Sequence, residues 1–107
     1  MSNSSLTSGL TLVKFSAGWC GPCKGFKSHF EKSATDLQAQ FPGLQVELVD
    51  VDEKPELVTQ FGVRSVPHVI LLRDGKTIAT KIGSLSADVL TREMVEALHK
   101  SQMTEPC

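Results

Sequence analysis

The chain has 107 residues, of which 40% are apolar and 21% charged, and its net charge is -1. That length suits one compact domain able to bury a core without a disulfide or metal to hold it. The near-neutral balance supplies neither a basic surface for nucleic acid nor a charge block for a membrane, which leaves proteins and small molecules as partners.

In chain order, Leu10 to Phe15 is an apolar, partly β-branched run followed by a glycine-containing turn, and reads as a buried strand. A helix should follow, because Phe26, Phe30, Ala34, Leu37 and Phe41 recur at spacings of three or four until Pro42-Gly43 stops the pattern. Leu44 to Val51 is a second strand, and Pro55 to Phe61 a short helix ended by Gly62. Val66-Pro67 leads into the continuous apolar run Val69-Ile-Leu-Leu72, a third strand. Asp74-Gly75 is a hairpin signal, Thr77 to Ile82 the returning strand, and Ala87 to Lys100 a last helix with Leu90, Met94, Ala97 and Leu98 along one face. The first strand, helix and second strand make a right-handed parallel crossover, and the hairpin adds antiparallel strands, with helices packed on the faces. Residues 1–9 and 101–107 read as tails around a single domain at 10–100.

The apolar runs fall far short of a bilayer span, and Met-Ser-Asn-Ser-Ser lacks the basic and apolar regions of a secretion signal, so a cytoplasmic location is expected. That compartment keeps thiols reduced, which points a cysteine pair toward catalysis or metal binding. Cys20 and Cys23 lie at the end of a strand and the start of a helix, where free N–H groups and the helix dipole favour a thiolate. Pro22 suits the first helical position, and Cys23, one turn in, is held ready to attack a mixed disulfide formed at Cys20. An inert buried pair and half of a zinc site are the alternatives. Zinc fits poorly, since His29, His68 and His99 offer no His-x3-5-His spacing.

Trp19-Cys-Gly-Pro-Cys-Lys24 resembles the active-site motif of the thioredoxin family. Val66-Pro67 stands where that family carries a cis-proline facing the sulfurs, Asp74-Gly75-Lys76 is similar to its hairpin, and Lys81-Ile-Gly-Ser-Leu-Ser86 to the segment whose glycine, here Gly83, lines the substrate groove. The likeness runs from about Leu10 to Leu98, and the Gly-Gly-Asp segment of a glutathione-binding glutaredoxin is absent. The resemblance implies an α/β thioredoxin-like fold, a central mixed sheet with helices on both faces. It also implies a protein disulfide reductase in which Cys20 attacks and Cys23 resolves. Trp19, Gly21, Pro22, Val66, Pro67 and Gly83 would form the active-site loop and groove, Trp19 as a wall beside an exposed cysteine, with the Val66 backbone pairing to an extended substrate segment. No bound cofactor and no metal are implied; disulfide-containing proteins are the substrates, a flavin- and NADPH-dependent thioredoxin reductase the electron donor, and a monomer the expected state. A docking module with incidental cysteines and a dedicated relay for one partner are the rival readings.

The chain departs from the family in several places. Only nine residues precede Leu10, too few for the usual leading strand and helix, so the sheet should have four strands with Leu44 to Val51 as an edge guarded by Glu47, Asp50 and Asp52. Ser28 replaces a helix-bending proline, so the helix should be straighter. His68 replaces a threonine and could exchange protons near neutral pH, although a solvent-facing or hydrogen-bonded structural role is the plainer expectation. Lys14 replaces the buried aspartate that takes a proton from the resolving thiol; alternation places it on the face of Leu10 and Leu12, and snorkelling along its own stem is the expectation. If its ammonium stays near the sulfurs, it modulates their pKa values. Cys107 is expected to be an exposed tail thiol.

Overall fold

The computed structural model describes residues 9–103, and the expectations for Cys107 and for the segment before Gly9 lie outside them. Seven elements follow the expected order: β1 (Leu10–Ser16), α1 (Gly21–Gln40), β2 (Gln45–Asp50), α2 (Pro55–Phe61), β3 (His68–Arg73), β4 (Lys76–Ile82) and α3 (Ala87–Met103). Among the described residues the sheet has four strands in the order β2-β1-β3-β4. β1 runs parallel to β2 and antiparallel to β3, and β3 and β4 form the hairpin, so the sheet is mixed.

β1 and β3 are central because their residues are apolar on both sides: the five inner residues of β1 and the first five of β3 are buried. On one face, Leu12, Val69 and Leu71 pack against Phe26, Phe30 and Leu37 of α1 and Leu90, Met94 and Leu98 of α3. Ser33, buried between these helices, pairs its hydroxyl with that of Thr91 at 2.8 Å, which satisfies a polar group that could not otherwise be dry. On the other face, Val13, Phe15, Val49, Ile70 and Leu72 pack with Leu57 of α2. Helices therefore cover both faces.

Local chemistry sets the element ends. α1 runs unbroken through Ser28 and stops at Gln40, leaving Phe41 as its C-cap, half-buried, with its N–H donating to the Leu37 carbonyl at 2.7 Å. α2 ends on Gly62 in the left-handed conformation that an L side chain would strain. Asp74 and Gly75 both have positive φ, as a two-residue hairpin turn of this hand requires. β2 is shorter than the expected Leu44 to Val51 and forms one edge of the described sheet, while α3 continues through residues 101–103, beyond the expected end at Lys100. No helix among the described residues is long and apolar enough to cross a membrane.

Candidate active site

Strand β1 delivers the chain to one end of the sheet, where Ala17 to Trp19 turn it into α1. The Cys20 N–H donates to the Ala17 carbonyl at 3.2 Å, closing that turn. Cys20 is the N-cap of α1, with extended backbone, and its Sγ accepts from the Cys23 N–H at 3.1 Å. A sulfur thus occupies the position that Ser, Thr or Asp usually fills. The two cysteines are disulfide-bonded, with Cα atoms 5.3 Å apart. Cys20 Sγ also lies 3.7 Å from the Val66 carbonyl oxygen, an acceptor for the Cys20 thiol once the disulfide is reduced. The helix dipole and the Cys23 N–H together favour negative charge on this sulfur.

The remaining groove residues are brought to the same end. The Val66-Pro67 bond is cis, and the Pro67 carbonyl accepts from the Gly83 N–H at 2.9 Å, which fixes the β4 end beside the proline. Gly83 has a φ of 97°, a conformation that favours glycine. Gly21 and Pro22 are exposed in the first helical turn, Val66 is half-buried, and Trp19 is 69% exposed.

Three expectations need correction. Cys20 is only 4% exposed: as a disulfide it is folded against Ala17 and Val66, so the open part of the site is the apolar rim and not the sulfur. His68 is neither solvent-facing nor hydrogen-bonded; it is 5% exposed, with no partner for either ring nitrogen among the described residues, and its ring stands edge-on to Phe15 at 6.1 Å. Burial holds its pKa below the usual 6.5. Lys14 is 6% exposed and not freely snorkelled; its Nζ lies 5.0 Å over the Phe30 ring. Desolvation lowers its pKa, the Glu31 carboxylate opposes that shift and the Lys27 charge adds to it. Phe30 comes seven positions after Cys23, about 10 Å along the helix axis, so the ring that receives the ammonium belongs to a residue two turns beyond the second cysteine.

Sequence reasoning missed several neighbours. Asp52 accepts the Trp19 indole N–H at 2.9 Å. Ile82, 60% exposed, adjoins Gly83. An apolar cavity of about 150 Å³ is lined by Val51, Val58 and Val63, with Trp19, Val66, Arg64 and Ser65 around them. Only the position of Asp52 just beyond β2, in a parallel crossover from β1, brings it near Trp19, and no spacing rule reveals that pairing. A larger cleft of about 490 Å³ between β4 and α3 contains none of the groove residues. Among the described residues no group of His, Cys, Asp or Glu could hold a metal ion.

The thioredoxin family model matches residues 3–96. The thioredoxin of Chlamydia muridarum is 40% identical over 88 residues, covering 82% of each chain, and that of Rhodospirillum rubrum 38% over 89 residues, covering 83% of this chain and 82% of its own. A solved chain from work on thiol resolution in yeast mitochondrial 1-Cys peroxiredoxin by the glutathione and thioredoxin systems superposes with a TM-score of 0.70 at 28% identity, covering 88% of this chain and 84% of that one.

Proposed function

Since the chain belongs to the thioredoxin family of thiol-disulfide oxidoreductases, we propose that it is a general protein disulfide reductase of the cytoplasm, acting as a monomer. The observation that carries the reading is the Cys20 sulfur at the helix start, accepting from the Cys23 N–H and facing the Val66 carbonyl. In the reduced protein the Cys20 thiolate attacks one sulfur of a substrate disulfide; a Cys20–substrate bond forms and the other substrate sulfur leaves as a thiolate that takes up a proton. Cys23, as its thiolate, then attacks Cys20 Sγ and expels the second substrate sulfur. The substrate has gained two electrons and two protons, and the Cys20–Cys23 disulfide remains. Two electrons from a flavin- and NADPH-dependent thioredoxin reductase restore the dithiol. Trp19, Gly21, Pro22, Val66, Pro67 and Gly83 form the groove against which an extended substrate segment lies.

The test combines turnover with trapping. Catalytic amounts of the chain should accelerate reduction of insulin by dithiothreitol. Cys23→Ser should leave substrates covalently joined to Cys20, whereas Cys20→Ser should trap almost none. Equal adducts from both variants would overturn the assignment of roles. Slow turnover of insulin with fast exchange toward one trapped protein would identify a dedicated relay instead.

A further inference from the structure

His68 is the first residue of β3 and takes part in the last rung of the sheet at the cysteine end, opposite Phe15 of β1 and Ile82 of β4. Its neighbour Pro67 accepts the Gly83 N–H, and Val66, one residue further, presents its carbonyl to Cys20 Sγ. The imidazole is 5% exposed and neither nitrogen has a partner among the described residues. A buried polar group without a partner is retained only at a cost, and its charged form costs far more.

We propose that His68 is a positioning residue for the groove, and that the Val66–Pro67 turn stays seated against Cys20 only while the imidazole is neutral. The proposal rests on the groove's role given above, but its physical core is independent of turnover. Burial alone shifts the ring's pKa, and at the cysteine end of β2 the Asp50 carboxylate accepts from the Asp52 N–H and the Asp52 carboxylate from the Trp19 indole. On β1, Lys14 points to the opposite face and lies over Phe30. On β4, Lys81 is paired with Glu93 of α3 at 2.9 Å, also on the opposite side of the sheet. On the α2 side, Glu56 and Arg64 are exposed, Lys54 is half-buried outside the apolar cluster, and the ring nearest the Phe15–His68 pair is Phe61. A proton can therefore be accepted only by letting water reach the imidazole. The cheapest way to do so is to open the last rung, since terminal rungs open at lower cost than central ones. That opening releases the Gly83 to Pro67 hydrogen bond and moves the Val66 carbonyl away from the sulfur.

The sign follows from the lowered pKa. The neutral ring's stability is present in full above the open-state value of 6.5 and is lost as pH falls from there through the closed-state value. The groove should loosen in acid and be set at neutral pH.

The experiment is an NMR titration of the full chain in its disulfide form from pH 7.5 to 4.5. The His68 ring should titrate below the ordinary value of 6.5. The Gly83 amide, corrected for its intrinsic exchange rate, should lose protection below pH 6.5 by up to about tenfold per pH unit, the limit for one proton. Leu71, in mid-strand, should exchange more slowly than Gly83 at every pH, which marks the opening as local. His68→Phe keeps a ring against Phe15 but takes no proton, so its Gly83 protection should not vary with pH; His68→Thr serves if that variant does not fold. A His68 ring titrating at or above 6.5, a Gly83 profile flat in the wild type, or Gly83 and Leu71 exchanging together would each overturn the proposal. Insulin reduction measured in parallel should fall several-fold more between pH 7.5 and 5.5 in the wild type than in the variant. An inactive chain with the expected amide profile would refute the reductase reading alone, and an active chain with a flat profile would refute this one alone.

Discussion

The two central strands, β1 and β3, show two ways of keeping a titratable side chain out of water. On the α1 and α3 face, Lys14 spans the core with its stem and sets its ammonium over the face of Phe30, within the fields of Glu31 and Lys27. On the α2 face, His68 meets the edge of Phe15, with no partner for either nitrogen among the described residues. Both pKa values are lowered, and in both burial is the largest cause. The outcomes differ because reach differs. A long flexible stem lets a cation find a π-face and neighbouring charges, whereas a short ring must stay where the strand puts it. Burial alone therefore does not decide whether a group keeps its charge.

The largest effects should come from the two rings. Phe15→Ala and Phe30→Ala should each cost about 3–5 kcal/mol, read from urea denaturation, because both rings are fully buried. They should separate in their second effect: Phe15→Ala admits water and returns the His68 pKa toward 6.5, while Phe30→Ala leaves it unchanged. A His68 titration equally altered by both would break the comparison between the faces.

Lys14→Met should be smaller and opposite in sign, raising stability at pH 7 by about 1 kcal/mol, because it removes a desolvated ammonium from a site that accepts an apolar chain. The wild type should close the gap as pH rises. Its lowered Lys14 pKa means that the unfolded state binds more protons, so stability climbs from the folded value and is complete above 10.5. A variant less stable than the wild type at pH 7 would show that the ring contact outweighs desolvation. Smaller still is the contact itself: a double-mutant cycle of Lys14→Met with Phe30→Leu should return a coupling of about 0.5–2 kcal/mol. Zero coupling would reduce the ring to a spectator. The smallest effect belongs to the rim at the cysteine end. Asp52→Ala should cost less than about 1 kcal/mol yet lower the fluorescence anisotropy of the sole tryptophan, Trp19, by freeing its indole. Unchanged anisotropy would mean that Asp52 does not hold the ring.

The apolar spacing of Phe26, Phe30, Ala34 and Leu37 was sufficient to find the buried face of α1, since helical geometry converts that spacing into one stripe. Phe41, the last of that stripe, packs half-buried against the same cluster even though its backbone is already the C-cap of α1. The four strands of the described sheet were legible as apolar runs bounded by turn residues. What the sequence withheld was contact between distant segments. Trp19 finds Asp52 thirty-three residues away, and the cavity valines converge from the β2 end, α2 and the loop before β3. Lys14 and His68 were found as candidates, but the direction of a side chain inside a core depends on which rings and charges the tertiary fold supplies, and local pattern does not encode that.

The hydrogen bond from the Cys23 N–H to Cys20 Sγ has a further consequence. A disulfide sulfur is a weak acceptor and a thiolate a strong one, so the bond that starts α1 tightens when electrons arrive. Oxidised and reduced, folded and unfolded form a closed thermodynamic cycle, in which whatever the helix start adds to the reduced folded protein must reappear in its reduction potential, about 30 mV for each 1.4 kcal/mol. A firmer first turn makes the dithiol harder to oxidise and the protein a weaker reductant. The opening turn of one helix thus carries a share of the protein's electron affinity, and a substitution there that touches neither sulfur would retune it.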